Sequence, residues 1–402
     1  MDYETKKPWP LLKVVASLFA AVVIFSGGLA VGRGDLHISG LSAKQNAALP
    51  NQLDYSSVDQ VYDLLKSDYD GNLNQTKLID GAKQGLVAAT GDPYTEYFNP
   101  TDAKTFNDEL AGQIQGIGAE LGSDSSGDVI IVSPISGYPA DKAGLKPKDI
   151  ISAVNGQSTS GMSVDAVVSK VRGQAGTKVT LSIVRGDAAP FDVTIVRQKI
   201  TIPSVTWSED NGIGYMKISQ FTSDTSNLSA QAAQEFKAKG VKGVVLDLRG
   251  DPGGYLSAAV DVSSLWLDQG RTVVSERRGS TIVDTETATG KNPLKGLPTV
   301  VLIDSGSASA SEITAGALRD NGAATLVGVK SFGKGSVQQV ENLSDGSEVK
   351  ITIARWYTPA GKNIDKQGIT PDVAVDAATD AQSQAGQDPQ KDRAYQVLQS
   401  KL

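Results

Sequence analysis

The chain lacks several residues on which common catalytic and metal sites depend. Its 402 residues include no cysteine and only one histidine, His37. The absence of cysteine excludes disulfide bonds, thiolate metal sites and a cysteine nucleophile. A single histidine also excludes the usual zinc sites. We therefore predict a protein that holds no metal ion, and no feature of the sequence calls for another cofactor.

Concentrated positive charge is also missing. The net charge is −7 and there is no long basic run, so the sequence has no electrostatic footprint for nucleic acid, which is excluded as a partner. A hydrophobic content of 40% and a charged content of 21% are ordinary for a globular protein. The length allows two or three domains, each with its own core.

The longest uncharged run lies close to the N-terminus. Residues 14–31 are 18 residues without a charge, and lysines precede them. This pattern predicts that residues 1–33 are a cytoplasmic stub and a single membrane-spanning helix. A cleaved signal peptide is the alternative, because small residues occur at 29–32. Both readings place everything after residue 33, beginning with the polar linker at 34–54, outside the cytoplasmic membrane.

The remaining sequence falls into segments with different periodicities. Residues 55–111 have apolar residues at helical spacing, and residues 112–201 contain alternating, β-branched stretches with short helical candidates between them. Residues 202–376 alternate buried-type strands with amphipathic helices. We predict a mixed α/β (α+β) fold, with a helix-covered sheet that carries function at its strand ends. Residues 377–402 are predicted to be a polar C-terminal tail with a short helix.

The order of elements in residues 112–201 resembles a PDZ domain. The stretch GIGAELG, residues 116–122, precedes a PAxKAGLKxxDxI pattern at 139–150. Backbone N–H groups at such a turn bind a peptide's C-terminal carboxylate, while the strand edge pairs with the extended peptide. Lys148 stands where these domains usually have glycine, which predicts an altered turn. The residues that the resemblance assigns to peptide binding are Gly116, Ile117 and Gly118.

A serine-rich segment, DSGSASASEITAGALRD at 304–320, precedes a predicted helix. Ser309 and Glu312 fit the S-x-x-E capping box, which requires no catalysis. The small residues at 305–308 let another chain approach the backbone closely, and a helix N-terminus supplies free N–H groups for an oxyanion. The segment is therefore either a helix cap or the site of a serine nucleophile.

A serine nucleophile in this chain needs a base other than histidine. A lysine can serve if burial lowers its pKa, because desolvation favours the neutral amine. Lys334 is the candidate, since Gly333 and Gly335 flank it and allow neighbouring chain to crowd it. Gln338, four residues later, is placed to orient the amine by hydrogen bonding.

The same segment, GVKSFGKG at 328–335, nearly matches a phosphate-binding P-loop. The motif requires serine or threonine where residue 335 is glycine, and it must open a helix. The following residues, 337–359, have hairpin character with a turn at 345–346. A nucleotide site is therefore the least favoured of the alternatives.

Taken together, these motifs resemble the carboxy-terminal processing peptidases, which are S41-type serine peptidases with a PDZ domain. DLRGDPGG at 247–254, the series at 345–372 and GDPYTEYF at 91–98 extend the resemblance to nearly all of the chain after residue 55. The resemblance implies a core like those of ClpP and crotonase. It also implies Ser309 as nucleophile, Lys334 as base and Gln338 as the assisting residue.

The resemblance extends to the residues around the reacting carbonyl. It implies oxyanion donors at Ala310 and at the turn formed by Gly253 and Gly254. Asp251 is a departure, because the family more often has asparagine there; aspartate would either weaken the oxyanion site or point away from it. Arg172 is a candidate gating contact between the PDZ unit and the core, and a solvated helix end is the alternative.

The resulting hypothesis is a membrane-anchored serine endopeptidase that acts outside the cytoplasm. Its partners would be polypeptides with free C-termini, captured by the PDZ unit, and the membrane itself through the N-terminal helix. The alternative is a catalytically silent PDZ-containing adaptor that binds peptides without cutting them. Self-association as a homo-oligomer is left open.

Overall fold

The structure is a computed structural model that describes residues 52–402, apart from residues 125 and 187. The predicted membrane helix or signal peptide, residues 1–33, lies outside the described residues, as does nearly all of the linker. Within the described residues, no helix is both long enough and apolar enough to cross a bilayer. The chain divides after Gln75 into two compact units.

The described part of the first unit contains one helix, α1 (Ser56–Asp68), which buries none of its residues. Its apolar residues Val58, Val61 and Tyr62 recur at helical spacing, as the sequence predicts, yet all three are exposed. The apolar stripe of α1 is thus not part of the hydrophobic core that the described residues form.

The second unit begins with helical structure interrupted by a short strand. Helices α2 (Gln75–Ala88) and α3 (Pro100–Leu110) flank strand β1 (Glu96–Phe98). Asn99 starts α3, because its side chain accepts the N–H groups of the first turn and proline follows it. The helices follow the predicted periodicity, whereas β1 was not predicted.

A six-stranded antiparallel sheet forms the next layer, in the order β3-β4-β5-β7-β8 with β6 paired to β5. A separate pair, β2 with β9, joins the ends of this region. The apolar faces of its strands and of helix α5 form one core, which includes Ile131, Val167 and Leu181. Its elements are β2 (Gln113–Gly116), β3 (Ala119–Ser123), β4 (Val129–Pro134), α4 (Pro139–Lys142), β5 (Ile150–Val154), β6 (Gln157–Ser158), α5 (Val164–Val171), β7 (Lys178–Val184), β8 (Phe191–Val196) and β9 (Gln198–Thr201).

The largest core surrounds a six-stranded sheet in the order β10-β11-β12-β15-β16-β19, parallel except for β10 against β11. Strands β12 and β15 are buried along their whole length, which explains their continuous apolar sequence. Helices cover the sheet, as predicted. The elements are β10 (Val205–Asp210), β11 (Ile213–Ile218), α6 (Thr225–Lys239), β12 (Gly243–Asp247), α7 (Leu256–Ser264), β15 (Thr299–Ile303), α8 (Ala310–Asp320), β16 (Thr325–Gly328) and β19 (Val373–Ala374).

A further sheet of this unit is built on a long hairpin, β17 (Ser336–Asn342) and β18 (Glu348–Tyr357). The hairpin confirms the prediction for residues 337–359. It also contradicts a P-loop after residue 328, because a strand rather than a helix follows. β18 additionally pairs with β1 and with β13 (Thr272–Arg278), which pairs in turn with β14 (Thr281–Thr287).

The C-terminal residues contain a short helix, as predicted, and this helix packs into the core. After α9 (Asp380–Gln384), helix α10 (Pro389–Gln399) buries Ala394, Val397 and Leu398 in the same core cluster as strands β12, β15 and β16. Arg249, just after β12, also donates to both carboxylate oxygens of Asp388 at 2.8 Å. A few apolar residues at helical spacing therefore suffice to dock an otherwise polar helix.

Candidate active site

Ser309 lies between the carboxyl end of β15 and the first turn of α8. Its backbone has φ 53° and ψ −114°, a conformation that costs energy for any residue other than glycine. The Ser309 N–H donates to Glu312 Oε2 at 3.0 Å, so the glutamate arm of the predicted capping box is present. The side chain of Ser309 lines a cavity rather than being fully buried in the core.

Lys334 occupies the loop between β16 and β17. Its N–H donates to Glu312 Oε2 at 3.0 Å, and its carbonyl accepts from Trp356 Nε1 at 2.9 Å. The chain at Asp365 passes so close that a Cβ on Gly335 would lie 2.4 Å from the Asp365 nitrogen. The predicted crowding around Lys334 is thus present, and glycine is required at 335.

Glu312 connects the two candidate catalytic residues, a role that the sequence did not reveal. Its side chain is fully buried and accepts four hydrogen bonds. Oε2 accepts from the N–H groups of Ser309 and Lys334, while Oε1 accepts from Ser331 Oγ at 2.6 Å and Gly333 N–H at 2.8 Å. The capping-box pattern marked Glu312, but only as a local cap.

One cavity of about 270 Å³ brings Ser309, Lys334 and Gln338 together. No hydrogen bond joins Ser309 Oγ to Lys334 Nζ in this structure. The Gln338 amide donates to Ser336 Oγ at 2.7 Å and to Thr352 Oγ1 at 3.4 Å rather than to the lysine. The cavity walls are mainly apolar, with side chains from Phe106, Leu110, Tyr255, Leu256, Val274, Ile313, Val337, Val340 and Trp356.

The environment of Lys334 favours its neutral form. Burial lowers the pKa of the Lys334 amine, and the positive charge of Lys350 lowers it further, whereas Glu96 and Glu312 oppose the shift. Lys350 lines the same cavity and forms an ion pair with Glu96. The ring of Tyr94 lies 5.4 Å from Lys334 Nζ. A neutral amine is what a lysine needs to accept a proton.

The predicted oxyanion donors differ in availability. Gly253 packs against the nucleophile loop, since a Cβ there would lie 2.8 Å from Ser309 Cβ and 2.9 Å from the Ala310 nitrogen. Its N–H, however, donates to Asp251 Oδ1 at 2.8 Å. In the described part of the chain, neither the Gly254 N–H nor the Ala310 N–H donates a hydrogen bond. Those two groups are therefore free to face an oxyanion.

Hydrogen bonds join the loop after β12 to the loop after β15, which presents Ser309. Asp304 Oδ1, after β15, accepts from the N–H groups of Gly250 and Gly306, each at 2.9 Å. Ser307 Oγ donates to the Leu248 carbonyl at 2.7 Å. The loop after β12 is thereby tied to the loop that presents Ser309. Sequence reasoning placed both loops at strand ends but did not identify these contacts.

The predicted peptide-binding residues line a separate apolar groove of about 160 Å³ between β3 and α5. Gly116, Ile117 and Gly118 all line it, and in the described part of the chain the N–H groups of Ile117 and Gly118 meet no acceptor. Arg172 also lines the groove and forms an ion pair with Glu109 of α3 at 2.9 Å. Both side chains of this pair are nearly half exposed, so the contact lies at the solvated end of α5 and the gating role of Arg172 stays a prediction.

Lys148 adopts φ 69°, the left-handed conformation that glycine favours. The turn thus keeps the geometry expected of glycine, although the residue differs. In the described part of the chain, no group of three or more histidine or acidic side chains is arranged to hold a metal ion.

Comparisons with known proteins agree with this architecture. Residues 212–375 match the peptidase family S41, residues 130–185 match the PDZ domain, and residues 23–102 match the N-terminal domain of the activating protease CtpB. The first of these matches includes both candidate catalytic loops. The structure is similar to that of the photosystem II D1 C-terminal processing protease, with a TM-score of 0.52 and 33% identity over 80% of this chain and 87% of that one.

Sequence relatives lead to the same family. The chain is 39% identical to the carboxy-terminal processing protease CtpA of Bacillus subtilis (strain 168), over 83% of this chain and 71% of that protein. It is 40% identical to a probable CtpA-like serine protease of Staphylococcus aureus (strain MRSA252), over 84% and 67%.

Fold, site and relatives define a class: the protein is a serine-type peptidase of mixed α/β fold that carries a PDZ domain. Within that class, the chain belongs to the carboxy-terminal processing peptidases of family S41. The likeness of its core to the ClpP and crotonase folds stays a prediction.

Proposed function

We propose that Ser309 and Lys334 form the catalytic dyad of a membrane-anchored endopeptidase that cleaves polypeptides outside the cytoplasm. The observation that carries this proposal is the Glu312 carboxylate, whose Oε2 holds the backbone of both residues at one cavity. Burial lowers the pKa of Lys334, which supports its role as the base.

In the proposed mechanism, neutral Lys334 takes the Ser309 proton as Oγ attacks the peptide carbonyl. The N–H groups of Gly254 and Ala310 stabilise the oxyanion of the tetrahedral intermediate. The lysine then gives the proton to the leaving amine, and an acyl-enzyme forms. Water, deprotonated by the same amine, releases the product and restores Ser309. Substrate binding has to tighten the Ser309–Lys334 contact, as is common for catalytic hydrogen bonds that are long before the substrate arrives.

Substrate capture is assigned to the PDZ groove. The free N–H groups of Ile117 and Gly118 suit a C-terminal carboxylate, and the apolar walls suit the side chains that precede it. Arg172, between this groove and Glu109 of α3, is placed to transmit occupancy toward the core. Gln338 keeps a proposed assisting role, although its amide donates elsewhere in this structure.

Peptide cleavage by the full-length chain tests the dyad. Turnover of an unstructured peptide, followed by mass spectrometry of the products, should disappear in Ser309→Ala and in Lys334→Ala. Circular dichroism should show that both variants keep their fold. Equal turnover in wild type and Ser309→Ala would end the proposal.

The alternative is a peptide-binding adaptor that does not cut. The missing hydrogen bond between Ser309 Oγ and Lys334 Nζ is the observation in its favour. A serine-directed fluorophosphonate separates the two functions, because only an activated Ser309 reacts with it. Labelling of wild type together with no labelling of Lys334→Ala supports the peptidase, and peptide binding without any labelling supports the adaptor.

Membrane anchoring rests on the uncharged run at 14–31. The expected result is that the full-length chain stays in the membrane pellet after alkaline carbonate extraction, with its C-terminal part accessible only from outside the cytoplasm. Recovery of a shortened, soluble chain would favour signal cleavage. Self-association stays open, and light scattering of the detergent-solubilised chain addresses it.

A further inference from the structure

Asp251 lies beneath the oxyanion turn, and its surroundings suggest a role. The residue is fully buried between β12 and α7. Its main-chain carbonyl accepts from Ala308 N–H and from Ser311 Oγ, each at 3.0 Å. Its side-chain Oδ1 accepts from Gly253 N–H, and Oδ2 has no hydrogen-bond partner.

These contacts determine which N–H groups face the cavity. The Asp251 carboxyl fixes the Gly253 N–H at 2.8 Å. In the next peptide unit, the Gly253 carbonyl accepts from Phe221 N–H at 2.9 Å. Because N–H and C=O point in opposite directions across a trans peptide, the Gly254 N–H points away from Phe221. Asp251 and Phe221 thus orient the turn while leaving the Gly254 donor free.

We propose that Asp251 is a positioning residue for the oxyanion donors, and that it works as a neutral carboxylic acid whose ionisation weakens oxyanion stabilisation. This inference rests on the proposed function, since it needs a tetrahedral oxyanion beside Ser309. It makes the aspartate at this position a determinant of the enzyme's pH range.

The physical reason is that Asp251 has no compensating charge. Burial raises its pKa to about 7, against the opposing effect of its hydrogen bonds. The charged groups on the neighbouring elements are otherwise engaged. Arg249 pairs with Asp247 and Asp388, Asp304 and Glu312 offer only carboxyl groups, and burial lowers the pKa of the Lys334 amine, which disfavours its positive charge. An ionised Asp251 therefore adds a buried negative charge close to the forming oxyanion, and like charges in a buried site repel strongly.

Substitution of Asp251 by asparagine separates the two parts of the proposal, the positioning of the turn and the effect of ionisation. The asparagine amide oxygen can accept from Gly253 N–H as Asp251 Oδ1 does, but the side chain cannot ionise. Alanine removes both the acceptor and the charge. The family resemblance, in which asparagine is more frequent here, indicates that the turn tolerates the amide.

The test uses the full-length chain in detergent, with a fluorogenic peptide and turnover measured from about pH 5.5 to about pH 9. The measured quantity is the ratio of Asp251→Asn turnover to wild-type turnover, in which the titration of Lys334 largely cancels. We expect a ratio near one at the acidic end and a rise through neutrality to about tenfold at the alkaline end. Asp251→Ala should lie below Asp251→Asn at every pH, because Gly253 N–H loses its acceptor, while its ratio to wild type should rise over the same range because the charge is removed as well.

Ser307→Ala is the matched control. It removes the hydrogen bond from Ser307 Oγ to the Leu248 carbonyl, in the same pair of loops, and leaves the hydrogen bonds of the Asp251 carboxyl in place, so its ratio to wild type should show no comparable step with pH. A flat ratio for Asp251→Asn, or lower activity than wild type at the alkaline end, overturns the inference. Ser309→Ala distinguishes the two failures: if it is inactive while the Asp251→Asn ratio is flat, only this inference fails, and if it stays active the proposed function fails first.

Discussion

Two buried carboxyl groups flank Ser309, and they are satisfied to very different degrees. On the lysine side, Glu312 accepts four hydrogen bonds from both candidate catalytic loops. On the oxyanion side, Asp251 accepts one, and its second oxygen has no partner. Burial raises the pKa of both groups. A fully satisfied buried network is rigid, whereas a partly satisfied one responds to small changes.

The comparison assigns different tasks to the two sides of the serine. The lysine side has to keep two loops, far apart in sequence, in fixed register, and a carboxylate with four donors does so. The oxyanion side needs free N–H groups, so its acceptors must remain few. We therefore expect substitutions at Glu312 to act mainly on the geometry of the dyad, and substitutions at Asp251 to act mainly through charge.

The largest expected effect is that of Glu312→Ala. Four donors lose their acceptor inside the core, and each unsatisfied buried group costs about 1–3 kcal/mol. Turnover should fall by about a thousandfold or more, because both dyad residues lose their anchor. Fluorophosphonate labelling and thermal unfolding measure the two effects.

Asp149→Asn is the matched control for Glu312→Ala. Asp149 is also fully buried and accepts several hydrogen bonds, from Arg185 and from Lys146 N–H, but it lies in the PDZ domain. Its loss should lower stability and leave the labelling rate of Ser309 nearly unchanged. Activity of Glu312→Ala within about tenfold of wild type would contradict the anchoring role.

The second-largest expected effect is the pH dependence that Asp251 gives to the free energy of unfolding. Its folded-state pKa of about 7 lies above the ordinary value of 3.8. The folded form therefore binds the proton more tightly than the unfolded chain does. The stabilisation from this proton is complete at acidic pH and is lost as the pH rises to about 7, by up to about 4 kcal/mol.

Asp251→Asn has no such dependence, so the comparison with wild type isolates it. Calorimetric Tm values of the two proteins, measured from about pH 4 to about pH 8, should diverge in favour of the variant as pH rises and then run parallel above neutrality. All other titrating groups are common to both proteins, so their contributions cancel in the Tm difference. A constant Tm difference over the whole range would show that Asp251 is ionised throughout.

A smaller effect is expected from the charges around Lys334. Burial lowers its pKa most, Lys350 lowers it further, and Glu96 and Glu312 oppose the shift. In the proposed mechanism the neutral amine is the base, so activity should rise as pH passes through this pKa. Lys350→Met should move the acidic limb of the pH profile to higher pH, and Glu312→Gln should move it to lower pH.

These opposite shifts are best read from the shape of each profile, because Glu312→Gln also lowers turnover at every pH. On the acidic limb we expect Lys350→Met to retain a few-fold smaller share of its own plateau turnover than wild type does at the same pH. Glu96→Gln provides the control, since removing this anion should shift the limb in the same direction as Glu312→Gln. Shifts of the same sign for Lys350→Met and Glu96→Gln would exclude Lys334 as the titrating base.

The sequence predicted most of the elements that consecutive residues form, and fewer of the contacts between segments that are distant in the chain. Strands β12 and β15 were evident as short apolar runs bounded by glycine and polar residues. The β17–β18 hairpin was evident from its turn. By contrast, β1 and β14 are short or exposed strands that form by pairing with distant segments, β18 and β13 respectively, which local periodicity does not report.

The same division holds for the candidate site. Ser309 and Lys334 were identified by residue type, by elimination of histidine and by family resemblance. The four bonds of Glu312 were not, because three of their donors come from residues 331–334 and depend on how the loop after β16 packs. The orphan oxygen of Asp251 is likewise visible only once the tertiary structure surrounds it.

The smallest expected effect compares two strained residues, one inside the site and one outside it. Ser309 and Lys148 both adopt positive φ, 53° and 69°. For Ser309 the strain accompanies presentation of its hydroxyl to the cavity, whereas Lys148 lies in a turn of the PDZ domain before Asp149.

Lys148→Gly should relieve the strain and raise stability by about 0.5–1 kcal/mol, after deduction of the extra chain entropy of glycine. Turnover of a short peptide should not change, because no catalytic contact involves this turn. Urea unfolding measures the first effect, and a loss of stability in Lys148→Gly would mean that the lysine side chain contributes more to the turn than its backbone strain costs.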